Sequence, residues 1–88
     1  MDREAIRSML LDFLEQETWE RRENFADDVH LRSGLNLDSV DLLSVAMRVE
    51  QKLGISIQAQ DFVGLETVGN LLDMLQTKLA ARKQPKAA

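Results

Sequence analysis

Proline is absent before Pro85, and between Met1 and Val40 only Ile6, Thr18 and Val29 are β-branched. The backbone is therefore free to hydrogen-bond locally over almost its whole length, and the residues that favour strands are scarce, so the chain reads as helical. A chain of 88 residues has room for one hydrophobic core and rarely for two. Its 44% apolar and 30% charged residues are the ordinary balance of a globular domain. No stretch approaches the roughly 20 apolar residues of a membrane-spanning helix, so membrane insertion is not expected. With no Cys, a disulfide framework and thiolate chemistry are excluded, and with His30 as the sole His a conventional metal site or a Cys/His catalytic pair is not expected. The start, MDREAIRSML, carries acids early and lacks an apolar run closing on small residues. It does not read as a secretion signal, and a cytoplasmic location is expected.

Helical periodicity sets the element order. Ile6, Leu10, Phe13 and Leu14 predict a first helix over residues 2–19 with one face in the core and a solvated face opposite, where Glu17 and Arg21 stand four apart. Over residues 20–37 the period fades and Asn24, Asp27, Asp28, Ser33, Gly34 and Asn36 gather. Phe25, Val29, Leu31, Leu35 and Leu37 recur among them, which predicts a long loop pinned to the core, with room for a short helical turn. Asp38 caps a second helix, and Asp41 adds charge in its first turn. Its apolar residues from Val40 to Leu53 cover most of the circumference, and Gly54 stops it. Ile55 and Ile57 form an extended link, and residues 60–65 allow a turn or two of helix. Thr67 is the N-cap of a final helix whose stripe is Val68, Leu71, Leu72, Leu75 and Leu79. The expected fold is all-α, a small bundle of three main helices plus one short helix with a long first loop. Residues 1–80 form the domain and 81–88 a disordered tail.

The net charge of −4 argues against nucleic acid as a partner. The excess is local. Residues 1–38 hold ten acids and five bases, whereas residues 39–88 hold five acids and six bases.

One constellation carries chemistry, namely Leu35-Asn36-Leu37-Asp38-Ser39-Val40-Asp41-Leu42-Leu43. A serine in the first turn of a helix lies near free backbone N–H groups and the positive end of the helix dipole, where a phosphodiester is tolerated. On spacing alone Ser39 reads first as an ordinary N-cap or first-turn residue beside Asp38. Trp19 at the end of the first helix is expected to close over the core. Met9, Met47 and Met74 are either gap fillers or walls of an adaptable cavity. His30 reads as a surface loop residue.

The run Leu35-Asn36-Leu37-Asp38-Ser39-Val40 resembles the Leu-Gly-x-Asp-Ser-Leu signature of the acyl carrier protein family. The resemblance continues through Met47, Val49-Glu50 and Leu53, through Ile55-Ser56-Ile57 and through Leu65-Glu66-Thr67-Val68, so it covers most of residues 5–79. It implies a carrier and not an enzyme. Ser39 would bear a 4′-phosphopantetheine arm attached by a phosphopantetheinyl transferase from coenzyme A, with Asp38 flanking the site. The arm's thiol would hold acyl groups as thioesters for lipid or polyketide biosynthesis. It further implies a monomer served by an acyl-loading ligase or transferase and by synthase enzymes, which would dock on Val40, Asp41, Leu43, Ser44, Met47, Glu50 and Ile57.

Three departures stand out. Asn36 replaces the usual Gly, and Asn accepts positive φ better than most residues. Ser44 and Gln51 stand where the family commonly has Glu, and from Ser39 to Leu53 Asp41 and Glu50 are balanced by Arg48 and Lys52. The acidic docking helix of carriers in fatty acid synthesis is thus missing, which implies a specialised pathway. An aminoacyl or peptidyl carrier, whose type usually shows Gly-Gly-x-Ser, and a helical interaction domain without a prosthetic group are the alternatives.

Overall fold

Asp2 opens the first helix, α1 (Arg3–Thr18), by accepting the N–H of Ala5 on its side chain. The computed structural model describes residues 2–20 and 25–83. Two further α-helices follow, α2 (Ser39–Leu53) and α3 (Val68–Lys83), with a short 3-10 helix, Ala59–Phe62, between them. The fold is the expected all-α bundle. Among the described residues the one β-type pairing is an isolated bridge between His30 and Thr67. No helix of the described residues is long and apolar enough to cross a membrane.

The apolar stripes meet as their spacing predicts. Ile6, Leu10 and Leu14 of α1, Val49 of α2, and Val68, Leu72 and Leu75 of α3 are fully buried, and α1 packs against both other helices. Each such side chain contributes about 1.5–3 kcal/mol through removal from water. Gly54 ends α2 in the left-handed conformation at φ 66°, as expected of the residue after the last periodic position.

Residues 25–37 contain turns and no α-helix, yet Phe25, Leu31, Leu35 and Leu37 are buried. Their register is set by α3. The first N–H groups of a helix lack intrahelical partners, and here the loop supplies them. Val68 N–H donates to Val29 O and Gly69 N–H to Asp27 O, each at 2.9 Å. Thr67 and Asn70 complete the turn reciprocally, Asn70 N–H donating to Thr67 Oγ1 at 3.2 Å and Thr67 N–H to Asn70 Oδ1 at 3.0 Å. Arg3 and Arg7 of α1 both reach the Asp27 carboxylate, and Arg3 also binds Asp73 at 2.8 Å, so loop, α1 and α3 are tied at one point.

One expectation is corrected. Trp19 does not close over the core but is 88% exposed. It follows Leu10 by nine residues, half a turn out of phase with a 3.6-residue repeat, and it caps α1 at φ 62°. Glu17 binds Arg48 of α2 at 2.6 Å, and Arg21, four residues after it, and Asn24 lie outside the described residues. Helix α3 continues to Lys83, because Ala80 and Ala81 favour helix. Residues 84–88, the remainder of the expected disordered tail, lie outside the described residues.

Candidate functional site

The start of α2 is built from both sides. Leu35 and Leu37 are buried, and between them Asn36 adopts φ 57°, the left-handed conformation its side chain tolerates. Two anchored leucines thus deliver the chain to Asp38 at the surface. Asp38 is the N-cap, its Oδ1 accepting the N–H of Asp41 at 2.9 Å while Asp41 Oδ2 accepts the N–H of Asp38 at 3.3 Å. This reciprocal cap satisfies two backbone donors without Ser39. Ser39, the first residue of the helix, is therefore not its cap, and its side chain is exposed. Arg32 Nη2 donates to Ser39 Oγ at 3.2 Å.

Beside Ser39 lies a groove of about 370 Å³. On one wall Ser39, Leu42, Leu43, Ala46 and Glu50 recur at helical spacing, so the groove follows α2 for about 16 Å. Ile57, Ala59, Phe62 and Leu65 form the other wall. Glu50 Oε2 accepts the N–H of Ile57 at 2.9 Å, which fastens the link to α2. The short helix is fastened to α3 by Asp61, whose Oδ2 accepts Gln58 N–H at 2.7 Å and meets Lys78 Nζ at 2.9 Å. The Gln58 N–H first, and the Lys78 ammonium second, hold the Asp61 carboxyl below the usual carboxylate range.

The outer face of α2 is different in kind. Val40, Leu43 and Met47, at i, i+3 and i+7, are 70%, 55% and 53% exposed. Ser44 and Asp41 flank them half-buried, and Gln51 and Lys52 are exposed further along the helix. Arg48 is turned toward α1, donating to Glu17 at 2.6 Å and Gln16 at 2.7 Å. Of the residues expected to face partners, Val40, Leu43 and Met47 share this face. Glu50 and Ile57 are bonded to one another, Asp41 is engaged in the cap, and His30 is exposed as expected.

Sequence reasoning did not find the Arg32 contact, the groove wall at Ala59 and Phe62, or the Arg48 ion pair. Phe62, an aromatic in a helix too short to bury it alone, was the available signal for the wall. Nothing in local spacing joins Arg32 to Ser39.

The family model described as a phosphopantetheine attachment site matches residues 4–75. An acyl carrier protein of Saccharopolyspora erythraea is 29% identical over 94 aligned positions, covering 100% of this chain and 99% of that protein. One from Coprothermobacter proteolyticus is 30% identical, covering 90% of this chain and 96% of its own length. A meromycolate extension acyl carrier protein of Mycolicibacterium smegmatis is 33% identical over 54 residues, 61% of this chain and 48% of that protein. The cofactor of these carriers is 4′-phosphopantetheine, which supplies a thiol that holds acyl groups as thioesters. The residues present fit it, since an exposed hydroxyl that takes no part in the helix cap stands beside an apolar groove. The likeness spans the whole bundle and not the serine segment alone, and the chain belongs to the acyl carrier protein family, whose members carry acyl groups for lipid or polyketide synthases and transferases without converting them.

Proposed function

We propose that Ser39 is the attachment point of the prosthetic group, that residues 1–80 are its carrier domain, and that this carrier serves a specialised lipid or polyketide pathway. The observation that carries the first part is the exposure of the Ser39 hydroxyl on the first residue of a helix whose cap is already supplied by Asp38 and Asp41. In the attachment step a phosphopantetheinyl transferase joins Ser39 Oγ to the phosphorus that bears the pantetheine in coenzyme A. The pyrophosphate link breaks, 3′,5′-ADP leaves, and the serine proton is given up. The product is a phosphodiester with one negative charge. The groove beside α2 is suited to shelter an apolar acyl group. Val40, Leu43 and Met47, with Asp41, Ser44, Glu50 and Ile57 around them, form the docking region for a loading ligase or transferase and for the synthase. The carrier acts as a monomer in the cytoplasm.

The test is to incubate the apo protein with coenzyme A and a broad-specificity phosphopantetheinyl transferase and to weigh the product. One phosphopantetheinyl group is expected on the wild type and none on Ser39→Ala, with helicity unchanged because Ser39 is not the cap. Modification on Ser8, Ser33, Ser44 or Ser56, or none at all, overturns the assignment.

A further inference from the structure

We infer that Arg32 is the counter-ion for the phosphodiester formed on Ser39, so that this chain carries its own anion-binding side chain at the root of the arm. The inference rests on Ser39 being the attachment point. Arg32 Nη2 already donates to Ser39 Oγ at 3.2 Å, reaching back across seven residues from the turn before α2. Of the four arginines whose side chains are described, Arg3, Arg7 and Arg48 each meet a carboxylate, and Arg32 meets none among the described residues. Asp27, five residues before it, is held by Arg3 and Arg7, and Asp38 and Asp41 after it each accept a backbone N–H of the helix start.

Attachment replaces a neutral hydroxyl with an anion, placing a third negative charge in one helical turn beside Asp38 and Asp41. The positive end of the helix dipole favours that charge. Two of the donors that would otherwise face it, the N–H groups of Asp38 and Asp41, are however taken by the reciprocal cap. A guanidinium compensates for them, because its planar fork matches two phosphate oxygens and remains charged at any accessible pH. Arg32 and Ser39 also stand together at the N-terminal end of the groove. An ion pair there anchors the arm at the mouth of the groove and limits the directions it can leave by.

The experiment compares wild type, Arg32→Ala and Arg32→Lys, each loaded with coenzyme A by one transferase and weighed. Two resonances are then followed as salt is raised, the phosphodiester phosphorus and the Arg32 Nε–H. In the wild type the Arg32 Nε–H resonance is expected to shift between the unmodified and modified forms. The phosphorus resonance is expected to move with salt toward the value that Arg32→Ala has at low salt, since at about 1 M the Debye length is near 3 Å. Arg32→Lys should fall between the two. If the wild type gains the group on Ser39 while its Arg32 resonance is unmoved and its phosphorus resonance matches that of Arg32→Ala at every salt concentration, the counter-ion role is overturned and the attachment site stands. If the wild type gains no group on Ser39, the attachment reading fails and this inference falls with it. Arg32 is exposed, and if a variant does not fold the wild-type Arg32 Nε–H decides alone, a shift on modification supporting the counter-ion role and an unmoved resonance overturning it.

Discussion

Gly69 shows how little space separates the loop from α3. A Cβ built there would lie 3.1 Å from both Asp27 Cβ and Asp27 O. Asp27 cannot easily retreat, because its carbonyl accepts the Gly69 N–H and its carboxylate is held by Arg7 and Arg3. At an exposed helical position Gly→Ala would gain about 1 kcal/mol of helix propensity. Here overpacking costs typically 1–3 kcal/mol, so Gly69→Ala is expected to lower the melting temperature. A rise would mean that the loop yields freely. At Asp38 the sign is plainer, since Asp38→Ala removes the cap of α2 and should cost about 0.5–2 kcal/mol. Asn36 and Asp38 were readable from sequence because their roles depend on neighbours one to three residues away. Gly69 was not, because its constraint comes from Asp27, which belongs to another element.

Among the elements, the long loop is the one whose structure depends most on its partners. Its carbonyls cap α3, and its Asp27 carboxylate is held below the usual range by Arg7 and then Arg3. A carboxylate whose pKa is depressed by folding adds stability above its unfolded pKa, about 3.9 for Asp, and that contribution is lost as pH falls through the lower folded value. Asp61 acts in the same direction at the short helix. Acid unfolding followed by circular dichroism should therefore show a shallower dependence on pH below about 4 in Asp27→Asn than in the wild type. Identical profiles would mean that the arginine contacts add nothing. The helices themselves were legible in the sequence, since Leu71, Leu72, Leu75 and Leu79 announce the α3 stripe. Leu72, fully buried at its centre, should lose about 2–5 kcal/mol on replacement by Ala, read as a lowered denaturant midpoint. The loop's path was not legible, because hydrogen bonds such as Leu31 N–H to Glu66 O span 35 residues and leave no periodic trace.

At the scale of the molecule, the charges of α2 are largely engaged within the fold. Arg48 binds α1, Glu50 holds Ile57, and Asp41 caps its own helix. What α2 offers outward is Val40, Leu43 and Met47, with Ser44 and Gln51 in place of acids. Electrostatic steering raises association rates and fades with salt, whereas apolar contact does not. The loaded carrier is therefore expected to be a poor substrate for a generic fatty acid synthase ketosynthase and a good one for its dedicated partner. Replacing Ser44 and Gln51 with Glu should raise the generic rate and make it salt-sensitive, and a wild type already as active as an acidic carrier would return the protein to the housekeeping role. The charge balance was visible in composition, but the direction Arg48 takes was visible only in the fold. A last property follows from Trp19, the only Trp in a chain without Tyr, standing 88% exposed at the end of α1. Its indole is already wetted in the native state, so its emission should barely change colour when the bundle melts. A molecule covering the end of α1 would shift that emission to the blue, making fluorescence a reporter of company rather than of folding.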